Sequence, residues 1–420
     1  MTLVCNRDYV KLWFASGMSA LGDGVTVAAG PLLMATISQD PAVIASAVFV
    51  QQLPWLLFSL FSGVFVDRVD RRLIVGSVGV GRGLVMAALA LLVWQDRATI
   101  PAIYAAVFLL GVGATLADNA GQALLPSVVS AGDLSKANAW LSGFRMVGNQ
   151  FGGPPLGAWF FVAAAALPFG VDAAVCLVAA LLIFSIRWRD PGTAGSAEVA
   201  TPGVHPAPEQ ASVREEISEG VRWLWNHRAL RMLAVTMGLM NIAYGGAFAA
   251  YVLYARERLG LSEVGFGFLL AATAVGGVVG TAAVARLEAR FGAAALLRVG
   301  LVVETLTHLV LAVTRSPWVA AAALVVFGAH ATIWGVLSVT LRQRITPTAL
   351  LGRINSVYLL FSMGGFVVGS LIGGFIGKLF GITAPFWVAF AAMTVMTVSA
   401  WRVMTPAALS PRPEPVISTP

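Results

Sequence analysis

The sequence predicts an all-α polytopic membrane protein with twelve transmembrane helices, and three observations support this fold class. First, 58% of the 420 residues are hydrophobic and the mean hydropathy is +0.83. Second, only 11% of the residues are charged, whereas soluble domains average about 25%. Third, apolar runs of about 20 residues, the length that crosses a bilayer as a helix, follow one another along the chain. The charged residues fall mainly in the short gaps between these runs.

The apolar runs give twelve predicted spans, which we number in chain order. Each is long enough to cross the hydrocarbon core as a helix. Their predicted bounds are Leu12–Ile37, Val43–Val66, Leu73–Val93, Ala102–Leu125, Ala137–Phe161, Leu167–Ile186, Leu230–Tyr254, Val264–Ala285, Ala293–Val313, Trp318–Leu341, Ile354–Gly377 and Ala384–Val403.

The distribution of Lys and Arg predicts the orientation. An even number of spans puts both termini on one side, and cytoplasmic termini place most of the 27 basic residues in cytoplasmic segments. Arg82 and Arg145 lie within spans. The basic residues left on the outer side are Arg97, Arg256, Arg258, Arg315 and Lys378. We therefore expect a multi-pass membrane protein with cytoplasmic N- and C-termini.

The segments outside the spans set the expected domains. Residues 188–228 begin with a linker rich in Pro, Gly and Ala, and continue with Ser212 and Glu215 in capping-box spacing and apolar residues at helical intervals. This pattern predicts an amphipathic helix on the inner leaflet. We expect six-helix bundles at 1–187 and 229–403, joined by this linker and followed by a disordered tail at 404–420.

The two predicted bundles resemble each other in sequence, because several residues recur at one constant offset. Parallel six-helix repeats are a common architecture of transporters. The repeated residues are Asn138, Gly152 and Gly157 in the first half and Asn355, Gly369 and Gly374 in the second.

A charged hinge separates the second and third spans. Its residues Gly63, Asp67, Arg68, Arg71 and Arg72 form the pattern Gly-x-x-x-Asp-Arg-x-x-Arg-Arg. This pattern resembles the loop between helices 2 and 3 of the major facilitator superfamily, although Asp70 stands where that loop usually has Gly. The resemblance implies a latch on the cytoplasmic side, in which Asp67 pairs with the start of helix 11 and the arginines hold helix ends and lipid phosphates. An ordinary positive-inside loop is the alternative.

The fifth span contains a proline kink. Pro154 and Pro155 lack a backbone N–H and clash with the preceding turn, so the helix must bend there. The core formed by Gly153, Pro154 and Gly157 resembles the antiporter motif of exporters in the same superfamily, although two glycines of that motif are absent. The resemblance implies export, and a packing kink is the alternative.

Charged side chains within spans are functional candidates, because each costs about 2.5–3.5 kcal/mol to insert. Asp23, Arg82, Asp118 and Arg145 lie within the first six spans. The family's helix arrangement implies that Asp23, Asp118 and Arg145 face the cavity, and we expect Arg82 to pair with Asp118. A carboxylate in a poorly hydrated cavity can bind and release a proton near neutral pH, so Asp23 is the first candidate for proton coupling and Asp118 the second. A buried ion pair that fixes helix packing is the alternative for each.

The second half offers one more coupling candidate. Glu304 and His308 are one helical turn apart in the ninth span, and His330 lies in the tenth. Such a pair can relay protons, which makes Glu304 a candidate. Helix 9 is peripheral in the family's fold, so a structural polar contact is the favoured alternative. No third ligand stands at metal-binding spacing, and we expect no metal site.

Polar and aromatic residues of several spans are candidates for lining a substrate cavity. A wall of aromatic side chains with few polar groups suits a bulky, amphiphilic molecule. Packing or lipid contact is the alternative for each aromatic residue. The candidates are Gln51, Gln52, Trp55, Arg145, Asn241, Tyr244, Phe248 and Tyr358.

Three longer stretches resemble the branch of macrolide-efflux proteins and siderophore exporters, which contains drug:proton antiporters. They are SALGDGVTVAAGPLL, ALLPSVVSAGDLSKANA and EGVRWLWNHRALR. The resemblance implies a secondary active transporter of the bacterial inner membrane that exports a drug-like or secondary-metabolite molecule by proton antiport with alternating access. A siderophore or lysophospholipid translocator of the same fold is the alternative. A receptor or enzyme is disfavoured, because the sequence has no Ser/His/Asp set, metal motif or P-loop.

The remaining composition limits the expected partners. Cys5 and Cys176 indicate neither a disulfide framework nor a metal site. The net charge of +7 is spread over loops rather than forming one basic face, which disfavours nucleic acid as a partner. We expect no cofactor, a small-molecule substrate, protons and membrane lipids as partners, and a monomer.

Overall fold

The structure, a computed structural model, describes residues 6–66, 70–129, 133–186, 221–346 and 350–405. Every regular element in these residues is helical, which confirms the predicted all-α membrane fold. Several predicted features lie outside the described residues, namely Asp67, Arg68, residues 188–220 of the linker and the tail from residue 406. The side chains of Arg71 and Asp118 also lie outside them.

The helices follow the predicted spans one by one. They are α1 (Arg7–Ile37), α2 (Pro41–Val66), α3 (Arg71–Trp94), α4 (Ile100–Val128), α5 (Leu134–Met146, then a π-helical segment Val147–Gly152, then Gly153–Ala163), α6 (Leu167–Phe184), α7 (Arg228–Leu253, then a π-helical segment Tyr254–Arg258), α8 (Glu263–Phe291), α9 (Ala293–Val313), α10 (Pro317–Ile345), α11 (Leu351–Phe380) and α12 (Ala384–Trp401).

Eleven helices in the described part of the chain are long and apolar enough to cross a membrane, judged by length and composition. The exception is α5, because its π-helical segment divides it into α-helical pieces of 13 and 11 residues. Several helices continue beyond the predicted apolar runs, as where α8 extends to Phe291. Helical hydrogen bonding continues through polar residues, so an apolar run marks the length inside the lipid rather than the length of the helix.

Backbone packing divides the chain into two compact units. The first unit contains residues 1–202 and 249–271, and the second contains residues 203–248 and 272–420. The first unit therefore combines α1–α6 with the adjoining ends of α7 and α8. One contact shows this directly, because a Cβ added at Gly267 of α8 would lie 2.7 Å from the carbonyl oxygen of Pro154. The predicted bundles at 1–187 and 229–403 stay a prediction.

Glycines allow helix backbones to approach closely in both units. A Cβ added at Gly24 of α1 or at Gly153 of α5 would overlap the backbone of the other helix. In the second unit a Cβ added at Gly373 of α11 would overlap the backbone of Gly246 on α7. Close backbone approach through small residues is how membrane helices pack without a hydrophobic driving force.

Candidate functional site

A cavity of about 540 Å³ lies inside the first unit, among α1, α3, α4, α5 and α6. We call it the N-terminal cavity. Its polar lining includes Ser19 and Asp23 from α1, Arg82 from α3, and Ser142 and Arg145 from α5. The predicted coupling residue Asp23 and the predicted cavity residue Arg145 thus line the same space, which puts a carboxylate and two guanidinium groups on one wall.

Arg82 forms an ion pair with Asp23 across the cavity wall, through Nη2 and Oδ1. The other terminal nitrogen, Nη1, lies 3.5 Å from Ser19 Oγ. Gly113 of α4 makes room for the arginine, because a Cβ there would lie 3.1 Å from Arg82 Cγ. The guanidinium side chain is 13% exposed and the aspartate side chain 39%. The predicted partner Asp118 has its side chain outside the described residues.

A second carboxylate, Asp172 of α6, lies behind α1 and was not predicted as a site residue. It is fully buried. It accepts a hydrogen bond of 3.1 Å from the Thr26 hydroxyl and a thiol contact of 3.5 Å from Cys176, which itself lines the cavity. Gly22 of α1 leaves the space that this carboxylate occupies, since a Cβ there would overlap Asp172 Oδ1. A signal existed in the sequence, because Asp172 is charged and lies within the sixth predicted span.

The charges of Asp23, Arg82 and Asp172 act on one another. Both carboxylates lie within electrostatic range of the Arg82 guanidinium, and interactions in this poorly hydrated interior are stronger than in water. We call these three residues the N-terminal charge cluster. Its two carboxylates share one guanidinium, so the uptake of one proton neutralises the cluster. When both carboxylates are ionised, the cluster carries one uncompensated negative charge beside the cavity.

The fifth helix positions the cavity wall next to its kink. Arg145 lies on the last turn of the first α-helical piece, and the π-helical segment Val147–Gly152 follows directly. The chain returns to α-helix at Gly153, with prolines in its first turn. π-Helical turns interrupt α-helices frequently at functional sites. A π-helical distortion is therefore present in this helix directly after a cavity-lining charge, and Gly157 packs against Val25 of α1 beyond it. The predicted bend at the prolines stays a prediction.

The other predicted cavity residues do not line the N-terminal cavity. In α2, Gln51 is exposed, and its backbone carbonyl lies against Gly111 of α4. The remaining candidates of that helix, Gln52 and Trp55, are half-buried.

In the second unit, the side chain of Asn241 donates to the Met237 carbonyl of its own helix, at 2.9 Å. Tyr244 stacks on Phe327 with 5.6 Å between ring centroids. Phe248 contacts the Tyr244 ring from the next turn, with 5.9 Å between centroids. The ring of Tyr358 lies 4.2 Å below the Arg342 guanidinium.

Glu304, the third coupling candidate, meets both predicted histidines inside the second unit. Its Oε2 is 3.0 Å from His330 Nε2, and its Oε1 is 3.4 Å from His308 Nε2. All three side chains are buried. In the described part of the chain, no group of three His, Cys, Asp or Glu side chains is arranged to hold a metal ion.

The described part of the charged hinge holds helix ends together. Asp70 caps α3 by accepting the backbone N–H of Arg72, at 2.9 Å. The Arg72 side chain donates to the Ile186 carbonyl just beyond α6, at 2.7 Å. In the second unit Arg298 of α9 donates in the same way to the Trp401 carbonyl at the end of α12, also at 2.7 Å. Gly63 lies in the last turns of α2.

Comparison with known proteins gives consistent results at the level of family and fold. A family model described as transmembrane secretion effector matches residues 4–415. An uncharacterized MFS-type transporter of Sinorhizobium fredii is 23% identical over 370 residues, which is 87% of each chain.

Solved transporter structures share the fold at low sequence identity. The nucleoside transporter NupG superposes with a TM-score of 0.76 at 10% identity, over 94% of this chain and 99% of the other. A bacterial homologue of the iron transporter ferroportin superposes with a TM-score of 0.73 at 17% identity, over 93% and 97%.

Proposed function

The chain belongs to the transmembrane secretion effector family of the major facilitator superfamily, and from that premise we propose that it is a secondary active exporter. It exchanges a drug-like or secondary-metabolite molecule for protons by alternating access, as a multidrug-efflux or related transporter. We propose the bacterial inner membrane as its location, as for the exporters it resembles, with cytoplasmic termini on the distribution of Lys and Arg.

The observation that carries this proposal is the N-terminal cavity with an ion pair in its wall. Its volume of about 540 Å³ falls within the range of ligand pockets, about 300–1,000 Å³. An ion pair within a membrane span is costly and marks a functional site. The cavity therefore supplies both a space for a small molecule and groups that respond to protons.

Competition between a proton and the substrate for the Asp23–Arg82 pair would couple proton transport to substrate transport. A proton on Asp23 removes the negative charge and frees the Arg82 guanidinium from its partner. A substrate that needs the ionised pair, or one of its members, binds best when that proton is absent. Binding of the proton and the substrate is then mutually exclusive, which is the thermodynamic requirement for antiport. Arg145 on the same wall adds a second contact for polar groups of the substrate.

The substrate class is not carried over from the structural relatives. One of them is described as a nucleoside transporter and another as an iron transporter homologue. Identities of 10% and 17% support the shared fold only. The substrate class is therefore argued from the residues of this chain. The cavity lining combines charged and hydroxyl groups with aliphatic side chains, which suits an amphiphilic molecule.

The test uses proteoliposomes that contain a pH-sensitive dye. We would add cationic dyes, macrolides, metal-free siderophores and lysophospholipids, with and without an imposed proton gradient. Substrate-dependent proton movement is expected with one class, and it should be lost when the gradient collapses. Movement of a siderophore or lysophospholipid without proton flux would overturn antiport and favour a translocator.

The matched variants separate coupling from folding. Asp23→Asn should abolish proton movement while the protein remains folded. Asp96→Asn is the control, because Asp96 is exposed between α3 and α4. Its φ of 54° is a backbone conformation that Asn tolerates. Full proton-coupled transport by Asp23→Asn would refute the assignment of Asp23.

A further inference from the structure

A buried acid–base cluster in the second unit has no part in the N-terminal cavity. Glu304 of α9 lies between His308, one turn further along the same helix, and His330 of α10. Exposure is 1% for the glutamate, 2% for His308 and 6% for His330. Gly300 leaves room for the His330 ring, since a Cβ there would lie 2.8 Å from its Nδ1. Three titratable groups are thus held together away from solvent.

Buried polar residues continue from this cluster along α10 at steps of four residues. After His330 come Trp334, Ser338, Arg342 and Thr346, each less than a tenth exposed. Residues four apart form one ridge on a helix surface. At 1.5 Å per residue the ridge runs for about 24 Å. We call these five residues the α10 ladder. It ends beyond Ile345, at the end of α10 that the positive-inside bias predicts to be cytoplasmic.

Two side chains of α11 pack against the α10 ladder. Tyr358 is buried, and its hydroxyl lies next to Trp334 and Ser338. Arg342 lies over the Tyr358 ring at 4.2 Å and donates from Nε to Asn355 Oδ1 at 2.6 Å. Buried polar groups from two helices therefore lie along one side of α10 in the interior of the unit.

Several polar atoms of the cluster and of these side chains have no hydrogen-bond partner among the described protein groups. A buried polar atom without a partner costs about 1–3 kcal/mol, and water molecules are the usual partners when several such atoms lie near one another. Chains of water and hydroxyl groups conduct protons. The atoms concerned are His308 Nδ1, Trp334 Nε1, Ser338 Oγ, Tyr358 Oη, Arg342 Nη1 and Thr346 Oγ1.

We propose that Glu304, His308 and His330 form a proton-binding site in the second unit, and that the α10 ladder with Tyr358 conducts protons between this site and the cytoplasmic end of α10. The proton is taken from water at that end and is held between the Glu304 carboxylate and an imidazole. This inference rests on the proposed antiport function and deepens it, because it adds a second proton site that does not touch the substrate cavity.

The surroundings of the cluster suit a reversible change of charge. Tyr244 of α7 lies within electrostatic range of Glu304. The α12 helix, which packs on α9, has no titratable side chain along its length and contributes the Thr397 hydroxyl, 2.9 Å from that of Thr305. Arg342 is a positive charge three steps down the ladder from His330. Proton uptake therefore changes the net charge of an enclosed site in which Glu304 is the acid and the two histidines are the bases.

The first test measures protonation without transport. Infrared difference spectra of the purified protein between acidic and alkaline pH should contain a band of the proton held between the Glu304 carboxylate and an imidazole, which shifts in D₂O and disappears in Glu304→Gln. Glu288→Gln, at the end of α8, is the control and should leave the band in place. A band unchanged in Glu304→Gln would overturn the site. Because this readout needs no substrate, it decides the inference even if the wild type moves no protons in liposomes, a result that refutes only the antiport proposal.

The second test addresses the path. Ser338→Ala and Tyr358→Phe each remove one hydroxyl, and both should slow the substrate-driven dye response several-fold while leaving the number of protons per substrate unchanged. Thr340→Ala is the matched control, because this hydroxyl lies elsewhere on α10 and bonds to the Val336 carbonyl of its own helix. Equal rates in all three variants would overturn the conduit.

Discussion

The guanidinium of Arg82 on α3 forms an ion pair with the carboxylate of Asp23 on α1 in the wall of the N-terminal cavity. The two partners differ in solvent contact, because the arginine side chain is 13% exposed and the aspartate 39%. The aspartate is therefore in contact with the cavity, whereas the arginine depends on its partners for compensation of its charge. This asymmetry supports our proposal that Asp23 is the member of the pair that takes part in proton coupling.

A double-mutant cycle on this pair should separate stability from coupling. Asp23→Asn leaves a buried guanidinium without its ion-pair partner. We expect a loss of about 1–3 kcal/mol of stability, below the 3–5 kcal/mol of a fully buried pair because Asp23 keeps solvent access. Arg82→Gln in the Asp23→Asn background should restore part of that loss, without restoring proton movement. Thermal unfolding in detergent and the dye assay measure the two effects, and independent, additive losses would contradict the pairing.

Asp172 should contribute to proton coupling through the N-terminal charge cluster. Asp172→Asn keeps the size of the side chain and an oxygen that can accept from Thr26, so we expect the protein to fold. The variant cannot ionise at this position, so the number of protons per substrate should fall. Asp40→Asn is the control, because Asp40 caps α2 outside the cavity. A wild-type proton ratio in Asp172→Asn would leave Asp172 with a purely structural role.

Much of the fold follows from the sequence because lipid permits few backbone arrangements. Each apolar run must form a helix to satisfy its own hydrogen bonds, and the twelve predicted spans correspond to α1–α12. The distortion in α5 was also predictable, since Pro154 and Pro155 cannot donate hydrogen bonds. Its π-helical form at Val147–Gly152 was not predicted, because it depends on how the freed carbonyl groups are satisfied.

The site was only partly predictable because contacts between helices depend on their rotation. Asp23, Arg82 and Arg145 stand out in the sequence as charges within apolar spans, and all three line the N-terminal cavity. The partner of Arg82 required knowledge of which helix faces which. Asp172 carried the same signal as Asp23, a charge within an apolar run, but it stands near the beginning of its span. The α10 ladder was not predicted from the sequence, because its five residues differ in chemistry and share only their spacing of four residues.

Alanine should have opposite effects on stability at two glycines of α5, because only one of them packs closely against α1. A Cβ at Gly153 would overlap the backbone of Gly24 on α1, whereas a Cβ at Gly143 would have nothing within 4 Å. Gly153→Ala should therefore cost about 1–3 kcal/mol through overpacking. Gly143→Ala should be neutral or stabilising by about 0.5–1 kcal/mol, because alanine favours the helix. Thermal unfolding of both variants measures the contrast, and equal behaviour would contradict the close approach of α1 and α5.

The contact between Arg72 and the Ile186 carbonyl should control how firmly the end of α6 is held. The bond of 2.7 Å comes from a charged donor, and such bonds contribute about 1.5–3 kcal/mol. In Arg72→Gln we expect faster hydrogen exchange of the backbone amides that precede Ile186, because the end of the helix opens more often. Substrate affinity should be retained, since Arg72 does not line the cavity. Arg97→Gln, an exposed arginine between α3 and α4, is the control for loss of charge. If Arg72→Gln weakened substrate binding and left exchange at α6 unchanged, the side chain would act on the cavity and not as a clamp on the helix end.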